Sequence, residues 1–209
     1  MNQALLVDDH PLIRQALRNV LRAAQSRLTI TEAETLASAR AILATNPGID
    51  LILLDLQLPD CDGFEGLLSL RSDYPRVPVV IVSANLDDGV AGRAMAFGAA
   101  GYIPKSSTCS DIDRAVKAAL SGQFWSPLPV TPTTNSTPID LIKSLSPAQL
   151  RILMSLNRGM SNKQIAHKMN LTEGTVKGYT TALYRKLGVS SRTQAVILAH
   201  EVLVHPIEH

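Results

Sequence analysis

Residues 51–65 read LILLDLQLPDCDGFE, and this stretch decides the fold class of the first half of the chain. Its apolar run begins at Ile49 and continues without a polar residue from Leu51 to Leu54, as in a strand that is buried on both faces. Asp55 closes the run, and an acidic loop that contains Cys61 follows it. Strands buried on both faces are typical of parallel sheets covered by helices.

The same alternation of apolar runs and helical patterns extends over residues 1–122. Pro11 suits the first turn of a helix in which Ile13, Leu17 and Leu21 recur at helical spacing. We therefore predict an α/β fold, a flavodoxin-like doubly wound sheet of five parallel strands in the order 2-1-3-4-5. The predicted strands lie at 4–7, 28–33, 49–54, 77–82 and 99–103, and further helices near 36–45, 64–72, 87–97 and 110–121.

The composition changes after residue 122. Residues 126–138, SPLPVTPTTNSTP, are rich in Pro, Ser and Thr, which predicts a linker over 123–143. Trp125, the only tryptophan, is interpreted as an anchor that packs the first residues of this linker. Residues 144–209 show helical patterns only and form a separate all-α domain in this prediction. Its four helices are expected near 147–158, 162–169, 173–187 and 192–204.

Charge is distributed unevenly between the two predicted domains. The chain has a net charge of +2, but residues 1–122 contain 11 Lys+Arg against 14 Asp+Glu, whereas residues 144–209 contain 8 against 3. A basic C-terminal part on a mildly acidic body favours a module that binds a polyanion. A solvated basic face is the alternative that charge alone leaves open.

The N-terminus and the cysteines bear on the cellular compartment. The opening residues, MNQALLVDDH, have no basic region and place two acids where the apolar core of a signal peptide would continue. No apolar run reaches the roughly 18–20 residues of a membrane helix. Cys61 and Cys109 show neither metal-ligand spacing nor a disulfide framework. We therefore expect a cytoplasmic protein with no membrane partner.

Polar side chains follow the carboxyl ends of four predicted strands. Asp8 and Asp9 close the first strand, Asp55 the third and Ser83 the fourth, and Lys105 follows the fifth. In this strand order the crevice between strands one and three collects these residues, although they are distant in sequence. Each has an ordinary alternative: an Asp that caps a helix, a turn Ser or a solvated Lys. The joint pattern is much more specific than any one member.

The residue types in this crevice suit phosphoryl chemistry. Three neighbouring carboxylates repel one another, and a hard cation such as Mg²⁺ relieves that repulsion. A carboxylate also accepts a phosphoryl group as an aspartyl-phosphate. Lys105 and Ser83 offer donors to phosphate oxygens. The set therefore provides a nucleophile, a metal site and two phosphate contacts.

The predicted helix 173–187 has the features of a DNA-recognition helix. Thr172 caps it after a tight turn at 170–171, and Val176, Thr180 and Leu183 are spaced to face inward. Its opposite face is small, polar and basic, as a helix in a major groove of double-stranded DNA requires. A small bundle with a solvated face is the alternative. The predicted DNA contacts are Thr175, Lys177, Gly178, Thr181, Arg185 and Lys186.

Residues 1–122 resemble the receiver domain of bacterial two-component response regulators. The matching segments are LLVDDHPLIR, LILLDLQLPDCDGFE, VVIVSA and GAAGYIPKS. The resemblance implies that Asp55 accepts phosphate from a partner sensor histidine kinase and that Lys105 contacts the phosphate. It implies Ser83 and Tyr102 as a coupled switch pair, although the residues alone favour a core role for Tyr102. The implied Mg²⁺ ligands are Asp8, Asp9, Asp55 and the backbone carbonyl of Gln57.

Residues 145–199 resemble the LuxR-type helix-turn-helix domain, over the segment from LSPAQLRILM to SSRTQAVILA. With the receiver, the chain is similar to the NarL/FixJ class of response regulators over nearly its whole length. The resemblance implies a regulator of transcription, not an enzyme, in which the receiver assists its own phosphorylation and dephosphorylation with Mg²⁺. It also implies a homodimer when the protein is phosphorylated or bound to DNA.

Two other classes of protein share some of these features. A phosphatase or phosphotransferase of the haloacid dehalogenase type also uses an aspartate nucleophile, but usually has a second acid where this chain has Gln57. A ligand-sensing LuxR-type regulator needs an apolar, aromatic-lined pocket, which 4% aromatic residues and an acidic crevice disfavour. Whether phosphate ends on the protein, on water or on neither distinguishes the three classes.

Overall fold

The computed structural model describes residues 3–24, 28–86, 88–129 and 136–203. The chain divides into two compact units, Met1–Thr133 and Thr134–His209. Within the described ranges, we find no helix that has both the length and the apolar composition needed to cross a membrane.

The first unit is a five-stranded parallel sheet with the strand order β2-β1-β3-β6-β7, which confirms the predicted flavodoxin-like order. Every residue of the two central strands is buried, as their continuous apolar runs require. An antiparallel pair of two-residue strands, β4 and β5, was not predicted. The elements are β1 (Gln3–Val7), α1 (Pro11–Ala24), β2 (Thr29–Ala33), α2 (Leu36–Thr45), β3 (Leu51–Asp55), β4 (Gln57–Leu58), β5 (Cys61–Asp62), α3 (Glu65–Asp73), β6 (Val79–Ser83), α4 (Asp88–Ala96), β7 (Gly101–Pro104) and α5 (Cys109–Leu120).

The last strand of the sheet begins two residues later than the predicted 99–103. Gly98 adopts a positive φ of 85° at the end of α4, and the Ala99 N–H donates to the carbonyl of Ala94. This C-terminal turn belongs to the helix, as is common where a glycine takes the left-handed conformation. The apolar run therefore contains the end of one helix and the start of β7.

The second unit consists of helices, and the four predicted helices are all present. Ser146 and Ser161 cap two of them, each through a reciprocal bond with the Gln three residues later. Asn170, with φ 55° and ψ 47°, makes the left-handed turn between the second and third of the four predicted helices. The elements are α6 (Ser136–Lys143), α7 (Pro147–Asn157), α8 (Asn162–Met169), α9 (Glu173–Leu187) and α10 (Arg192–Leu203).

The prediction of a linker over 123–143 is wrong for its last eight residues, which form α6. Pro138 lies in the first turn of this helix, where backbone N–H groups have no partner within the helix, so the missing N–H of proline costs no hydrogen bond. Ile139 and Ile142 are buried in the second unit. Residues 130–135 of the predicted linker lie outside the described residues. At its other end, Trp125 packs against the hydrophobic core of the first unit, which confirms its interpretation as an anchor.

Candidate functional site

The carboxyl ends of β1, β3 and β7 bring two aspartates and one lysine together. Asp55 is the last residue of β3, Asp8 directly follows β1, and both are almost fully buried, with 3% and 1% of their surface exposed. The Lys105 Nζ lies 2.8 Å from Oδ2 of Asp55 and 2.8 Å from Oδ2 of Asp8. A single ammonium group therefore bridges two buried carboxylates from neighbouring strands.

This arrangement changes the acidity of both partners. Burial raises the pKa of Asp55 and the charge of Asp8 adds to this, while the hydrogen bond and charge of Lys105 oppose it without cancelling it. Burial lowers the pKa of Lys105, but the hydrogen bonds and charges of Asp55 and Asp8 outweigh burial, so this pKa is raised overall. Lys105 is therefore held in its charged form between the two carboxylates.

Asp9 completes an acidic pocket at the same edge of the sheet. One ligand atom from each of Asp8, Asp9, His10 and Asp55 lies within 4.8 Å of the others. The Gln57 N–H donates to Oδ1 of Asp55 over 3.3 Å, so the backbone of β4 lies beside the pocket. Carboxylate oxygens are the ligands that Mg²⁺ prefers, and the mutual repulsion of three carboxylates is what a divalent cation offsets. The residues present therefore fit Mg²⁺.

Ser83 and Tyr102 lie on adjacent strands and both contact Asn85. The Ser83 Oγ accepts a hydrogen bond from the Asn85 N–H over 3.2 Å, and the hydroxyl of the fully buried Tyr102 donates to the Asn85 carbonyl over 2.8 Å. The buried position of Tyr102 agrees with the core role that the residues alone favour. The two members of the implied switch pair are thus joined through the backbone of one residue.

Two residues of this site were missed from sequence. The His10 Nδ1 lies 2.8 Å from Oδ1 of Asp9 and 3.2 Å from Oδ1 of Asp8. The Asp-Asp-His sequence itself was the available signal. Arg14 is buried, and its guanidinium donates to the Asp8 carbonyl over 2.6 Å and to Glu34 over 2.7 Å. Nothing in the sequence distinguishes Arg14 from Arg18 and Arg22, the other arginines of α1.

The second unit presents α9 with one buried and one exposed face. Val176, Thr180, Leu183 and Leu187 are buried. A Cβ added at Gly178 would meet nothing within 4 Å, so this position faces open space. The six residues predicted to contact DNA are all exposed, namely Thr175, Lys177, Gly178, Thr181, Arg185 and Lys186.

The polar side chains of this face differ in their partners. The Thr175 and Thr172 hydroxyls lie 2.9 Å apart, and the Thr181 hydroxyl donates to the Lys177 carbonyl over 3.0 Å. The Lys186 ammonium donates to the carbonyl of Ser144, within its own unit. Within the described part of the chain, the side chains of Lys177 and Arg185 have no hydrogen bond or ion pair. On this face of α9, those two cations are therefore available to an external anion.

An open cleft runs beside α9, and its walls include cations that the sequence reasoning missed. Lys163 lies on α8, and Arg192 begins α10. The Arg192 guanidinium donates to the Met160 carbonyl over 2.9 Å and to the Leu156 carbonyl over 3.2 Å, so it also closes the C-terminal end of α7. The cleft is lined by Ser161, Asn162, Lys163, Glu173, Lys177, Thr180, Thr181, Tyr184 and Arg192.

Solved structures share this architecture. A complex of the response regulator RcsB with DNA covers 97% of this chain and 100% of that chain at a TM-score of 0.56, and its 21% identity supports a likeness of fold alone. A LuxR family DNA-binding response regulator from Silicibacter pomeroyi is 34% identical, with a TM-score of 0.54 over 61% of this chain and 98% of that chain.

Family models and relatives cover nearly the whole sequence. Residues 4–117 match the response regulator receiver domain, and residues 143–199 match the luxR family of bacterial regulatory proteins. The chain is 37% identical over 213 residues to the glycerol metabolism activator of Pseudomonas putida, covering 97% of this chain and 96% of the relative. It is 33% identical over 209 residues to the DNA-binding transcriptional activator DevR/DosR of Mycobacterium tuberculosis, covering 97% and 95%. With the acidic pocket and the exposed helix α9 in place, these matches show that the chain belongs to the response regulators that join a receiver domain to a LuxR-type DNA-binding domain.

Proposed function

We propose that Asp55 is the phosphoacceptor of this regulator and that its phosphorylation by a sensor histidine kinase controls sequence-specific DNA binding and transcription. The observation that carries the proposal is the Lys105 ammonium, 2.8 Å from both Asp8 and Asp55. A carboxylate oxygen of Asp55 attacks phosphorus, the bond from phosphorus to the donor imidazole nitrogen breaks, and that nitrogen keeps the electron pair. Lys105 is then within reach of an oxygen of the transferred group.

We infer that Mg²⁺ is held by Asp8, Asp9, Asp55 and the backbone carbonyl of Gln57. A bound Mg²⁺ supplies positive charge that offsets the repulsion between the carboxylates and the incoming phosphoryl group. Arg14 fixes the position of the Asp8 backbone through its bond to the carbonyl. These residues bind and orient the reacting groups, and the phosphate stays on the protein until water hydrolyses the acyl-phosphate bond and restores the Asp55 carboxylate. In this proposal the phosphoryl group of the donor is transferred to the chain itself, and the chain has no other substrate.

We propose Ser83 and Tyr102 as the switch between the phosphorylated and unphosphorylated receiver. If the Ser83 hydroxyl turns to donate to a phosphoryl oxygen on Asp55, its Oγ moves away from the Asn85 N–H, which now donates to it. Movement of Asn85 would break the bond between its carbonyl and the Tyr102 hydroxyl. The side chain of Tyr102 would then be released from its present position, which changes the surface around β7.

We propose that α9 enters the major groove of double-stranded DNA. Lys177 and Arg185 are exposed and available for phosphates, with Lys186 near the end of the helix. Thr175 and Thr181 offer hydroxyls to base edges, and the absence of a side chain at Gly178 permits close approach. Two copies on a two-fold site double these contacts, so we propose a homodimer when the protein is phosphorylated or DNA-bound. Because bacterial DNA lies in the cytoplasm, we propose that the protein binds DNA there.

The test of the phosphoacceptor uses a small-molecule phosphodonor and intact-mass measurement in Mg²⁺. Wild type should gain one phosphoryl group, and Asp55→Asn should gain none. Asp62→Asn is the matched control, because Asp62 is an exposed acid of the neighbouring β5 and should leave labelling unchanged. Labelling of Asp55→Asn at the wild-type level would exclude Asp55. Continuous release of phosphate with no labelled protein would favour a phosphatase instead.

A further inference from the structure

The His10 side chain reaches into the acidic pocket, although more than half of it is exposed to solvent. Its backbone N–H donates to Oδ1 of Asp8 over 2.7 Å, which fixes the loop between β1 and α1. Its Nδ1 lies 2.8 Å from Oδ1 of Asp9, 3.2 Å from Oδ1 of Asp8 and 4.0 Å from Oδ2 of Asp55. The ring nitrogen therefore faces a carboxylate oxygen from each of the three aspartates.

These separations match those between ligands of one metal ion. Metal–ligand distances of about 2.1 Å place neighbouring ligands of an octahedron about 3.0 Å apart and opposite ligands about 4.2 Å apart. The three distances from the His10 Nδ1, between 2.8 and 4.0 Å, fall at or close to this range. Hydrogen bonding accounts for the contact with Asp8. Among the described residues the buried Oδ1 of Asp9 has no hydrogen-bond partner, although the His10 Nδ1 lies 2.8 Å from it. All four ligand atoms lie within 4.8 Å of one another, slightly wider than opposite ligands of one ion, so a bound ion would draw them closer together.

We propose that His10 is a ligand of the divalent cation in this pocket, and that it makes the site select first-row transition-metal ions such as Mn²⁺ and Co²⁺ over Mg²⁺. An imidazole nitrogen strengthens binding of first-row transition-metal ions more than of Mg²⁺, and more for Co²⁺ than for Mn²⁺, whereas Mg²⁺ prefers oxygen and keeps several of its waters. The half-exposed ring of His10 can turn away into solvent and leave the oxygen ligands to Mg²⁺. His10 thus contributes to binding of transition-metal ions only. The inference rests on the metal site of the proposed function and adds a nitrogen ligand to it.

The experiment compares the wild-type chain with His10→Ala and with His167→Ala, which removes an exposed imidazole from α8 in the other unit. Free Mn²⁺ is followed by its electron paramagnetic resonance signal, and Mg²⁺ by competition. His10→Ala should weaken binding of Co²⁺ by about tenfold or more and of Mn²⁺ by about threefold or more, and change Mg²⁺ binding less than about twofold. Pulsed resonance of bound Mn²⁺ should show nitrogen coupling in wild type and His167→Ala, and lose it in His10→Ala. Unchanged nitrogen coupling or unchanged Mn²⁺ affinity in His10→Ala would overturn the inference.

Asp9→Asn separates the failure of this inference from the failure of the metal site itself. Asp9 is partly exposed, so its substitution removes a carboxylate ligand without disturbing the buried core. It should weaken Mg²⁺ and Mn²⁺ alike. If Asp9→Asn weakens both ions and His10→Ala weakens neither, His10 is not a ligand and the metal site stands. If the wild-type chain binds neither ion, both the site and the inference are wrong.

Discussion

The backbone N–H of Tyr102 donates to the carbonyl oxygen of Trp125 over 3.0 Å. Gly101 and Trp125 also form a parallel β-bridge, so the chain returns to the outer edge of β7 after α5 ends. Trp125 lies in the segment that leads towards the second unit. The edge strand that contains the proposed switch residue Tyr102 is therefore bonded directly to the start of the connection between the units.

Gly101→Ala should loosen this attachment. A Cβ at Gly101 would lie 2.9 Å from the Trp125 carbonyl oxygen, which is shorter than a normal van der Waals contact. The backbone at Gly101 or at Trp125 must therefore move. Overpacking of this kind costs about 1–3 kcal/mol. Because Trp125 is the only tryptophan, its fluorescence reports this site alone, and we expect a shifted emission maximum and a lower urea midpoint of the first unit.

Gly178→Ala is the control for this change. The same added methyl group meets nothing within 4 Å there, and alanine is favoured over glycine in a helix by about 1 kcal/mol. It should stabilise the second unit and leave the Trp125 emission unchanged. An unaltered emission spectrum and midpoint in Gly101→Ala would show that the contact with Trp125 does not restrain β7.

Lys105→Met should destabilise the metal-free receiver. It leaves Asp8 and Asp55 buried side by side without the bridging ammonium, and breaking a fully buried pair costs about 3–5 kcal/mol. We expect the free energy of unfolding to fall by only about 2 kcal/mol, because a buried carboxylate can take up a proton and so lose its uncompensated charge. Urea unfolding in a chelator measures this loss, and Mg²⁺ should restore more stability in the variant than it adds to wild type.

Lys117→Met is the matched control for loss of a lysine charge. Lys117 pairs with Asp113 on the surface of α5 and is 63% exposed, so removing it should change stability by less than about 0.5 kcal/mol. If Lys105→Met unfolds at the wild-type urea concentration in the absence of metal, the bridge does not hold the two carboxylates.

The sheet of the receiver was predictable because its strands β3 and β6 are buried on both faces. Leu51–Asp55 and Val79–Ser83 are apolar up to their last residue, so the unbroken apolar run, its length and the terminal polar residue all indicated the same element. The gathering of Asp8, Asp55 and Lys105 followed from strand order, since parallel strands end at one edge. Direct contact between the Lys105 ammonium and both carboxylates is a matter of side-chain geometry, which strand order does not specify.

The features that were missed have weak local signals. The pair β4 and β5 has two residues in each strand, too few for any alternation to be recognised. In α6, Ser136, Thr137 and Pro138 suit a helix start as well as a linker, and only the burial of Ile139 and Ile142 distinguishes the two. His10 was read as part of a motif, and its contact with three carboxylates depends on the loop conformation that its own N–H bond fixes.

Lys177→Ala and Lys186→Ala should affect DNA binding differently, although both remove a lysine from α9. The Lys186 ammonium already donates to the Ser144 carbonyl, whereas no described residue pairs with the side chain of Lys177. Lys177→Ala should therefore weaken binding of an operator duplex and reduce the salt slope of log K by about one. Lys186→Ala should change the slope by less than half of that and lower the stability of the second unit.

Fluorescence anisotropy over a range of salt concentrations measures both slopes. Arg185→Ala belongs with Lys177→Ala in this comparison, because its side chain is equally exposed and unpaired among the described residues. Equal slopes for wild type, Lys177→Ala and Arg185→Ala would place the DNA contacts outside this face of α9.

A DNA-binding fragment that begins at residue 134 should be more stable than one that begins at residue 144. The longer fragment keeps α6, in which Ile139 and Ile142 are 6% and 1% exposed. Burying an isoleucine side chain contributes about 1.5–3 kcal/mol, and ordering the short helix offsets part of it, so we expect a difference of about 2 kcal/mol. Urea unfolding followed by circular dichroism compares the two fragments.

Ile139→Ala with Ile142→Ala should lower the stability of the longer fragment to that of the shorter, while Asp140→Ala, at an exposed position of the same helix, should not. The DNA affinity of the two fragments should differ less than their stability, because α9 is present and folded in both. Equal urea midpoints would mean that α6 packs on the second unit without stabilising it, and that the domain is complete from residue 144.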